Sequence, residues 1–181
     1  MTDKGVTLIE LIVVTLIIGI LAIALGFSYV GWQGRYSVEK ATKDIYSDLM
    51  TARNRAMQRN HNYFADFPTA TSYQIVEDSN DNSSLNIGAG DNVVPPSPKT
   101  IEYPVQIGAV AGVPPVTLTF NKGGIMSPET TICIFTDADG DGTSDNDPDY
   151  DCIVISQTRI NMGKLTSQAI GDCDADHCTV K

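Results

Sequence analysis

The pattern of apolar residues divides this chain of 181 residues into three parts. Residues 6–30 are almost uniformly apolar, and their only charged side chain is Glu10. A helix needs about 20 such residues to cross a bilayer. Over residues 31–60 the apolar residues instead recur at spacings of three and four, which predicts an amphipathic helix. No proline precedes Pro68, so the pattern predicts one helix over residues 7–60.

Beyond residue 60 the chain consists of short apolar stretches separated by Gly, Pro, Asn and Asp, a pattern typical of strands and turns. The predicted strands are residues 62–67, 72–77, 100–107, 116–120, 131–136, 152–157 and 159–165. The first two would form a hairpin that turns at residues 68–70, and residues 78–98 are predicted to be a long, flexible surface loop. The predicted fold class is α+β: a long N-terminal helix packed through its second half on a C-terminal antiparallel β domain.

The charge of the chain is concentrated in two places. The formal net charge is −10, from 22 acidic and 12 basic residues. Aspartates in residues 137–151 and 172–176 account for the whole imbalance. Acidic surfaces favour cations, and phosphate binding depends on Lys and Arg, so the composition argues against a DNA-binding protein. The arginines near the helix end are predicted to form a solvated face; they are Arg53, Arg55 and Arg59.

Residues 137–151, called the Asp-rich loop below, begin with a spacing typical of calcium-binding loops. Carboxylates stand at positions 1, 3, 5 and 9 and Gly142 at position 6, the arrangement that surrounds Ca²⁺ with oxygen atoms in an EF-hand. Pro148 occupies position 12, where an EF-hand has a chelating Glu, so a later aspartate would have to complete the shell. The predicted ligands of Ca²⁺ are Asp137, Asp139, Asp141, Thr143, Asp145 and Asp149. The alternative is a solvated acidic hairpin tip.

The sequence KGVTLIE at residues 4–10 resembles the prepilin peptidase site of type IV pilins and type II secretion pseudopilins. In that family the leader is cleaved after the glycine, and the new N-terminus is methylated. The resemblance implies that Gly5 ends a leader of residues 1–5 and that Val6 is the mature N-terminus. Glu10 would then meet the N-terminal amine of a neighbouring subunit and set the axial register, because a good partner offsets the cost of a buried ion.

Two other interpretations of the N-terminal segment stay open. It could be a signal anchor with Glu10 at the lipid headgroups. It could also be a secretory signal cleaved at the A-x-A sequence of residues 22–24. A secretory signal leaves both Glu10 and the continuation of the helical pattern beyond the cleavage site unexplained.

The remainder of the chain resembles the minor pilins and pseudopilins of the GspH/FimT type. The resemblance rests on TARNRAMQRN at residues 51–60, on FNKGG at residues 120–124 and on the closing strands up to Gly163 and Lys164. It implies a leader, a transmembrane and filament-core helix over residues 6–30, an amphipathic continuation over 31–60 and a GspH-like β domain over 61–181. The implied location is the bacterial inner membrane, crossed once, with a periplasmic β domain that later joins a periplasmic or extracellular filament.

The four cysteines all lie in the last third of the chain, and an even number in an exported chain favours disulfides. Cys133 and Cys152 lie on predicted strands on either side of the Asp-rich loop, so a disulfide between them would close that loop. Cys173 and Cys178 would then form a small C-terminal ring. A zinc site made of Cys173, His177 and Cys178 is the alternative, although this spacing fits no standard zinc finger.

The sequence contains no visible pairing of nucleophile and base and no Gly-rich phosphate loop, which predicts neither an enzyme nor a small-molecule substrate. The predicted function is that of a minor pilin or pseudopilin in a type IV pilus or type II secretion filament. Its partners would be other pilins, met through the N-terminal helix, and the prepilin peptidase. It would help to initiate or cap the fibre. The alternatives are a major, filament-forming pilin and a DNA-binding minor pilin of a DNA-uptake pilus.

Overall fold

The computed structural model describes residues 6–108, 114–137, 139–167 and 169–181, without the side chains of residues 23–31. The chain forms two compact units, Met1–Gly34 and Arg35–Lys181. The predicted single helix is confirmed as α1, Leu8–Arg59. The helix ends directly before Asn60, whose φ of 57° is a left-handed conformation that stops a helix.

Helix α1 packs its amphipathic part on the β domain within the second unit. The predicted apolar stripe is confirmed: Val38, Ile45, Leu49, Ala52 and Ala56 are buried and Ala41 is partly buried. These side chains join one core with apolar residues of both sheets. The helix therefore contributes a buried face to the domain rather than only a connection to it.

The described residues of the β domain form two antiparallel sheets. The first sheet is made of β1 (Tyr63–Thr69), β2 (Ser72–Glu77), β3 (Asn92–Val93), β4 (Lys99–Thr100), β6 (Val116–Phe120) and β7 (Met126–Ser127). Its strand order is β3-β2-β1-β6-β7, and β4 also pairs with β2. The second sheet is made of β5 (Val105–Ile107), β8 (Thr130–Ile134), β9 (Cys152–Ile155), β10 (Ile160–Leu165) and β11 (Cys178–Val180), in the order β11-β10-β9-β8-β5.

Most predicted strands are confirmed, but the strand predicted over residues 100–107 is wrong. It is divided into β4, which joins the first sheet, and β5, which joins the second. Pro104 lies between them and cannot donate to a strand ladder, which favours the break there. Conversely, β1 continues through Pro68, beyond the predicted end of the strand, because the register is irregular between Asp66 and Thr69.

A partly buried polar contact joins α1 to the first sheet. The carboxylate oxygen Oδ2 of Asp48 accepts the hydroxyl of Tyr73 and the ammonium of Lys99, each at 2.6 Å. Burial, followed by the hydrogen bond to the Asp48 carboxylate, raises the pKa of Tyr73. The phenol therefore stays protonated and remains a donor at physiological pH.

Candidate functional site

The N-terminus of α1 is built by a reciprocal pair of hydrogen bonds. The backbone amide and the hydroxyl of Thr7 donate to Oε2 of Glu10 at 2.9 and 2.8 Å, and the amide of Glu10 donates to the Thr7 hydroxyl at 3.4 Å. This is a capping box, which satisfies free amides at a helix start. Glu10 was predicted to be functional from the sequence, whereas Thr7 was not. The T-x-x-E spacing of residues 7–10 is the sequence signal of this capping box.

Residues 6–21 present an apolar surface. Every large apolar side chain from Val6 to Leu21 is exposed, with exposed fractions between 49% and 76%. Over the part of the chain that the structure describes, no helix combines the length and the apolarity that crossing a membrane requires. The predicted cleavage site after Gly5, and the side chains of residues 23–30 in the predicted membrane segment, lie outside the described residues.

Three of the predicted calcium ligands converge at the start of the Asp-rich loop. Single carboxylate oxygens of Asp137, Asp139 and Asp145 all lie within 4.8 Å of one another. The carboxylate of Asp137 fixes the shape of the loop, because it accepts the backbone amides of Gly140 at 2.6 Å and Gly142 at 3.2 Å. Both glycines have positive φ, 77° and 84°, which lets the backbone fold around that carboxylate.

The other predicted ligands point elsewhere in this structure. The carboxylate of Asp141 accepts the amide of Thr143 at 2.7 Å and also its hydroxyl. The carboxylate of Asp149 forms an ion pair with the ammonium of Lys181 at 3.0 Å. The cluster of Asp137, Asp139 and Asp145 is thus the part of the predicted set that the fold brings together.

Asp151, which ends the Asp-rich loop, is buried and stabilises the second sheet. It is 1% exposed, and its Oδ1 accepts the backbone amide of Leu165 at 2.6 Å. Burial raises the pKa of Asp151 to about 6, opposed in part by that amide and by the Lys164 ammonium. The carboxyl therefore links β9 to β10 at the cost of burying a charge at neutral pH.

The disulfide pairing expected from the sequence is wrong. Cys133 bonds to Cys173 and Cys152 bonds to Cys178, with no free cysteine in the chain. The physical reason is topological. Cys133 and Cys152 lie directly opposite each other on β8 and β9, and the C-terminal segment supplies a separate partner for each. The zinc alternative with His177 is also wrong, because both of its thiols are used in disulfides.

Two glycines allow the C-terminal segment to approach the second sheet closely. A β-carbon on Gly108 would lie 1.5 Å from the carbonyl oxygen of Cys173. A β-carbon on Gly163 would lie 2.4 Å from the carbonyl oxygen of Thr179 and 2.8 Å from Sγ of Cys178. The C-terminal segment from Cys173 onward is therefore fixed by backbone contact as well as by the disulfides.

Cations at the end of α1 and in the β domain form ion pairs with acidic side chains. The ammonium of Lys164 lies 2.6 Å from the carboxylate of Asp147. The guanidinium of Arg59 lies 2.9 Å from the carboxylate of Glu77, at the end of the predicted solvated arginine face. These pairs reduce the positive potential that a nucleic-acid surface would need.

The family model of the type II transport protein GspH matches residues 41–158, and that of the prokaryotic N-terminal methylation motif matches residues 1–26. A crystal structure of the minor pseudopilin EpsH from the type II secretion system of Vibrio cholerae is similar, with a TM-score of 0.51 and 11% identity over 77% of this chain and 99% of that chain. A second structure of the same protein gives 0.49 and 12%, over 76% and 99%. No curated protein matches. The chain belongs to the GspH family of type II transport proteins and carries the methylation motif, which confirms the resemblance to pseudopilins.

Proposed function

We propose that this protein is a minor pseudopilin of a type II secretion filament, held in the bacterial inner membrane by its N-terminal helix and later packed in the filament through the same helix. The observation that carries the proposal is the exposed apolar surface of residues 6–21. An apolar surface of this length marks an interaction site with lipid or protein. Residues 35–181, in contrast, bury their own core. The role is structural, and the partners are other pseudopilins.

Processing precedes assembly in this proposal. The methylation motif over residues 1–26 supports cleavage by prepilin peptidase between Gly5 and Val6 and methylation of the new amine. Mass spectrometry of the mature protein tests this step directly. A peptide beginning at methylated Val6 is expected. A mature chain beginning at Leu25 would instead identify a secretory signal and contradict the proposal.

Glu10 is proposed to set the axial register by meeting the Val6 amine of a neighbouring subunit. In the single chain its carboxylate is occupied by Thr7 at 2.8 Å, so assembly would exchange a local partner for a charged one, and charge-assisted bonds are stronger. Glu10→Ala should be processed normally and enter filaments poorly. Thr7→Ala is the matched control, because it removes the cap but keeps the carboxylate. Equal incorporation of wild type and Glu10→Ala would defeat the register role.

The proposed place of the subunit is at the start or cap of the fibre, and its abundance tests this. Filaments sheared from expressing cells should contain the peptide that begins at Val6 in trace amounts, beside an abundant second pilin. If that peptide dominates the fraction, the protein is a major, filament-forming pilin. The GspH family membership favours the first outcome.

The alternative of a DNA-binding minor pilin is disfavoured by the charge of the domain. The C-terminal cations Lys164 and Lys181 both lie against carboxylates, at 2.6 and 3.0 Å. Nucleic-acid affinity grows with the number of phosphates that free cations neutralise. A gel shift at low salt is expected to show no tight binding, and a shifted band would revive the alternative.

We also propose that the Asp-rich loop binds Ca²⁺ through Asp137, Asp139 and Asp145. The donor set fits, because three convergent carboxylates match a hard cation that takes oxygen ligands. Like charges at this distance repel one another without a counter-ion. Carbonyl oxygens and water would complete the six to eight ligands of such a site.

Chelation tests the calcium proposal. Excess chelator should lower the melting temperature of the protein, because a ligand that binds only the folded state stabilises it. Asp139→Ala should abolish that sensitivity, since it removes one of the three convergent carboxylates. Identical melting curves with and without chelator would refute calcium binding at this loop.

A further inference from the structure

Residues 78–86 repeat, in largely neutral form, the ligand spacing of the Asp-rich loop. In both segments an aspartate is followed by oxygen-bearing side chains at positions 3, 5, 7 and 9. In the Asp-rich loop these are Asp139, Asp141, Thr143 and Asp145, and in the other segment they are Asn80, Asn82, Ser84 and Asn86. Amide and hydroxyl oxygens replace carboxylates, so the segment resembles a polar linker by composition although it keeps the spacing.

The two segments share a hydrogen-bond pattern. The carboxylate of Asp78 accepts the backbone amides of Asn82 at 3.1 Å and Ser83 at 2.9 Å, which are positions 5 and 6. The carboxylate of Asp137 accepts the amides at the same two positions, at 3.1 and 3.2 Å. In each case the amide at position 5 also donates to the side chain at position 3, at 3.1 and 3.2 Å. At positions 5 and 6 the backbone therefore wraps around the first aspartate in the same way. The loops differ in that Oδ2 of Asp78 also accepts the side-chain amide of Asn62 at 3.1 Å, whereas Asp137 also accepts the backbone amide of position 4 at 2.6 Å.

The backbone conformations agree as well. Positions 4 and 6 of the Asp-rich loop are glycines with positive φ. The same positions in the other segment are Asp81 and Ser83, with φ of 60° and 59°. Residues other than glycine adopt this conformation at a cost. The surrounding structure thus imposes the same loop on a sequence that lacks the permissive glycines.

Asp91 supplies an observation that is independent of the loop geometry and points to a ligand. It is 6% exposed, and its Oδ2 accepts the amide of Asn86, position 9 of the loop, at 2.6 Å. Its Oδ1 is buried and has no hydrogen-bond partner among the described residues. A β-carbon on Gly90 would lie 2.4 Å from the side-chain nitrogen of Asn80, so position 3 of the loop packs on the residue next to Asp91. A buried carboxylate oxygen without a partner is costly, and a cation would satisfy it.

We propose that residues 78–91 form a second binding site for a divalent cation, Ca²⁺, through Asp78, Asn80, Asn82, the carbonyl of Ser84 and Asp91. Side-chain and backbone oxygens of this kind are the ligands that Ca²⁺ takes. The Ser84 carbonyl accepts the side-chain amide of Asn86 at 3.1 Å and has a second lone pair available.

The second site is weaker than the first in this proposal, because it offers two carboxylates where the Asp-rich loop brings three together. Affinity in such loops follows the charge of the ligands and the rigidity of the site, and extracellular sites reach dissociation constants of about 0.1–1 mM. Asp81 takes no part, since its carboxylate lies 2.9 Å from the ammonium of Lys122. The site depends neither on the filament role nor on calcium binding by the Asp-rich loop.

Titration calorimetry of the full-length, metal-free chain in detergent micelles with CaCl₂ tests the proposal. The wild type should show a tighter and a weaker site. Asp91→Asn should weaken only the weaker site, at least tenfold, because it removes one of two carboxylates and keeps the shape. Asp139→Asn should weaken only the tighter site. Asp81→Asn is the matched control in the same loop and should leave both sites unchanged.

The weaker site is refuted if Asp91→Asn titrates like the wild type, or if Asp139→Asn abolishes all binding. A wild type that takes up no Ca²⁺ refutes both loops together, whereas a weaker site that survives in Asp139→Asn supports this proposal alone. Circular dichroism in chelator establishes that each variant is folded. If Asp91→Asn fails to fold, the exposed Asn80→Ala replaces it, and an unchanged weaker site in that variant overturns the proposal.

Discussion

Replacing Cys178 with alanine tests how the C-terminal segment is attached. The disulfide between Cys152 and Cys178 joins β9 to β11 across 26 residues of sequence, with the two Cα atoms 6.1 Å apart. Removing it frees the thiol of Cys152 and leaves the disulfide between Cys133 and Cys173 intact. The last strand then keeps its ladder with β10, over Gly163 to Leu165, but loses its covalent bond to β9.

The magnitude follows from the length of the closed loop. In the chain-entropy model a loop of 26 residues stabilises the fold by about 3.5 kcal/mol at 25 °C. The pairing expected from the sequence would have given a ring of about five residues between Cys173 and Cys178, worth about 2 kcal/mol in the same model. The free energy of unfolding of the variant therefore separates the two pairings.

Two measurements check this prediction. Urea unfolding of wild type and Cys178→Ala should differ by about 3.5 kcal/mol. Alkylation in urea without reductant, followed by peptide mapping, should label Cys152. The control is Cys173→Ala, which should label Cys133 instead. A label on Cys173 in the Cys178→Ala variant would refute the reasoning, because it would show that the C-terminal ring exists.

Three further predictions concern buried groups. Burial raises the pKa of Asp151 from its ordinary value of 3.8 to about 6, so the folded state binds that proton more tightly. The free energy of unfolding of the wild type should therefore fall by about 3 kcal/mol as the pH rises from about 4 to about 6, because the unfolded state loses this proton first. Urea unfolding of Asp151→Asn should lack this decrease, and equal pH slopes in the two proteins would contradict the prediction. Gly108→Ala would place a β-carbon 1.5 Å from the carbonyl oxygen of Cys173, and melting curves should show a loss of about 3 kcal/mol; an unchanged melting temperature would exclude the close approach. Tyr73→Phe removes the 2.6 Å hydrogen bond to Asp48, and chemical denaturation should show a cost of about 1.5–3 kcal/mol; wild-type stability would mean that water replaces the phenol.

The sequence predicted the elements whose signals are local. Helix α1 ends within one residue of the prediction at both ends, and β2 and β6 have the predicted bounds. It missed β3, β7 and β11, because two or three residues carry no usable periodicity. The predicted packing of the second half of the helix on the β domain is confirmed, because helix residues from Arg35 onward belong to the globular unit.

The candidate sites also differ in whether the sequence carries a local signal for them. The spacing of the Asp-rich loop pointed to Asp137, Asp139 and Asp145, which the structure brings together. The loop around Asp78 escaped notice because asparagines and serines in a long polar stretch are typical of a linker. Only the tertiary structure places the buried carboxylate of Asp91, 13 residues along the chain from Asp78, against this loop.

By itself, therefore, the sequence determined the long helix, its apolar first part, the start of the acidic loop and the family. These depend on hydrogen bonds and side-chain spacings within a few residues, which a linear pattern records. Only the tertiary structure decided which cysteines pair, which aspartates are buried and which strand joins which sheet. Cys133 meets Cys173 across 40 residues, and Asp151 meets the amide of Leu165, because the second sheet and the C-terminal segment enclose an apolar cluster of their own that includes Cys133, Leu165 and Cys173. Such contacts are set by the packing of distant segments, and no local pattern encodes them.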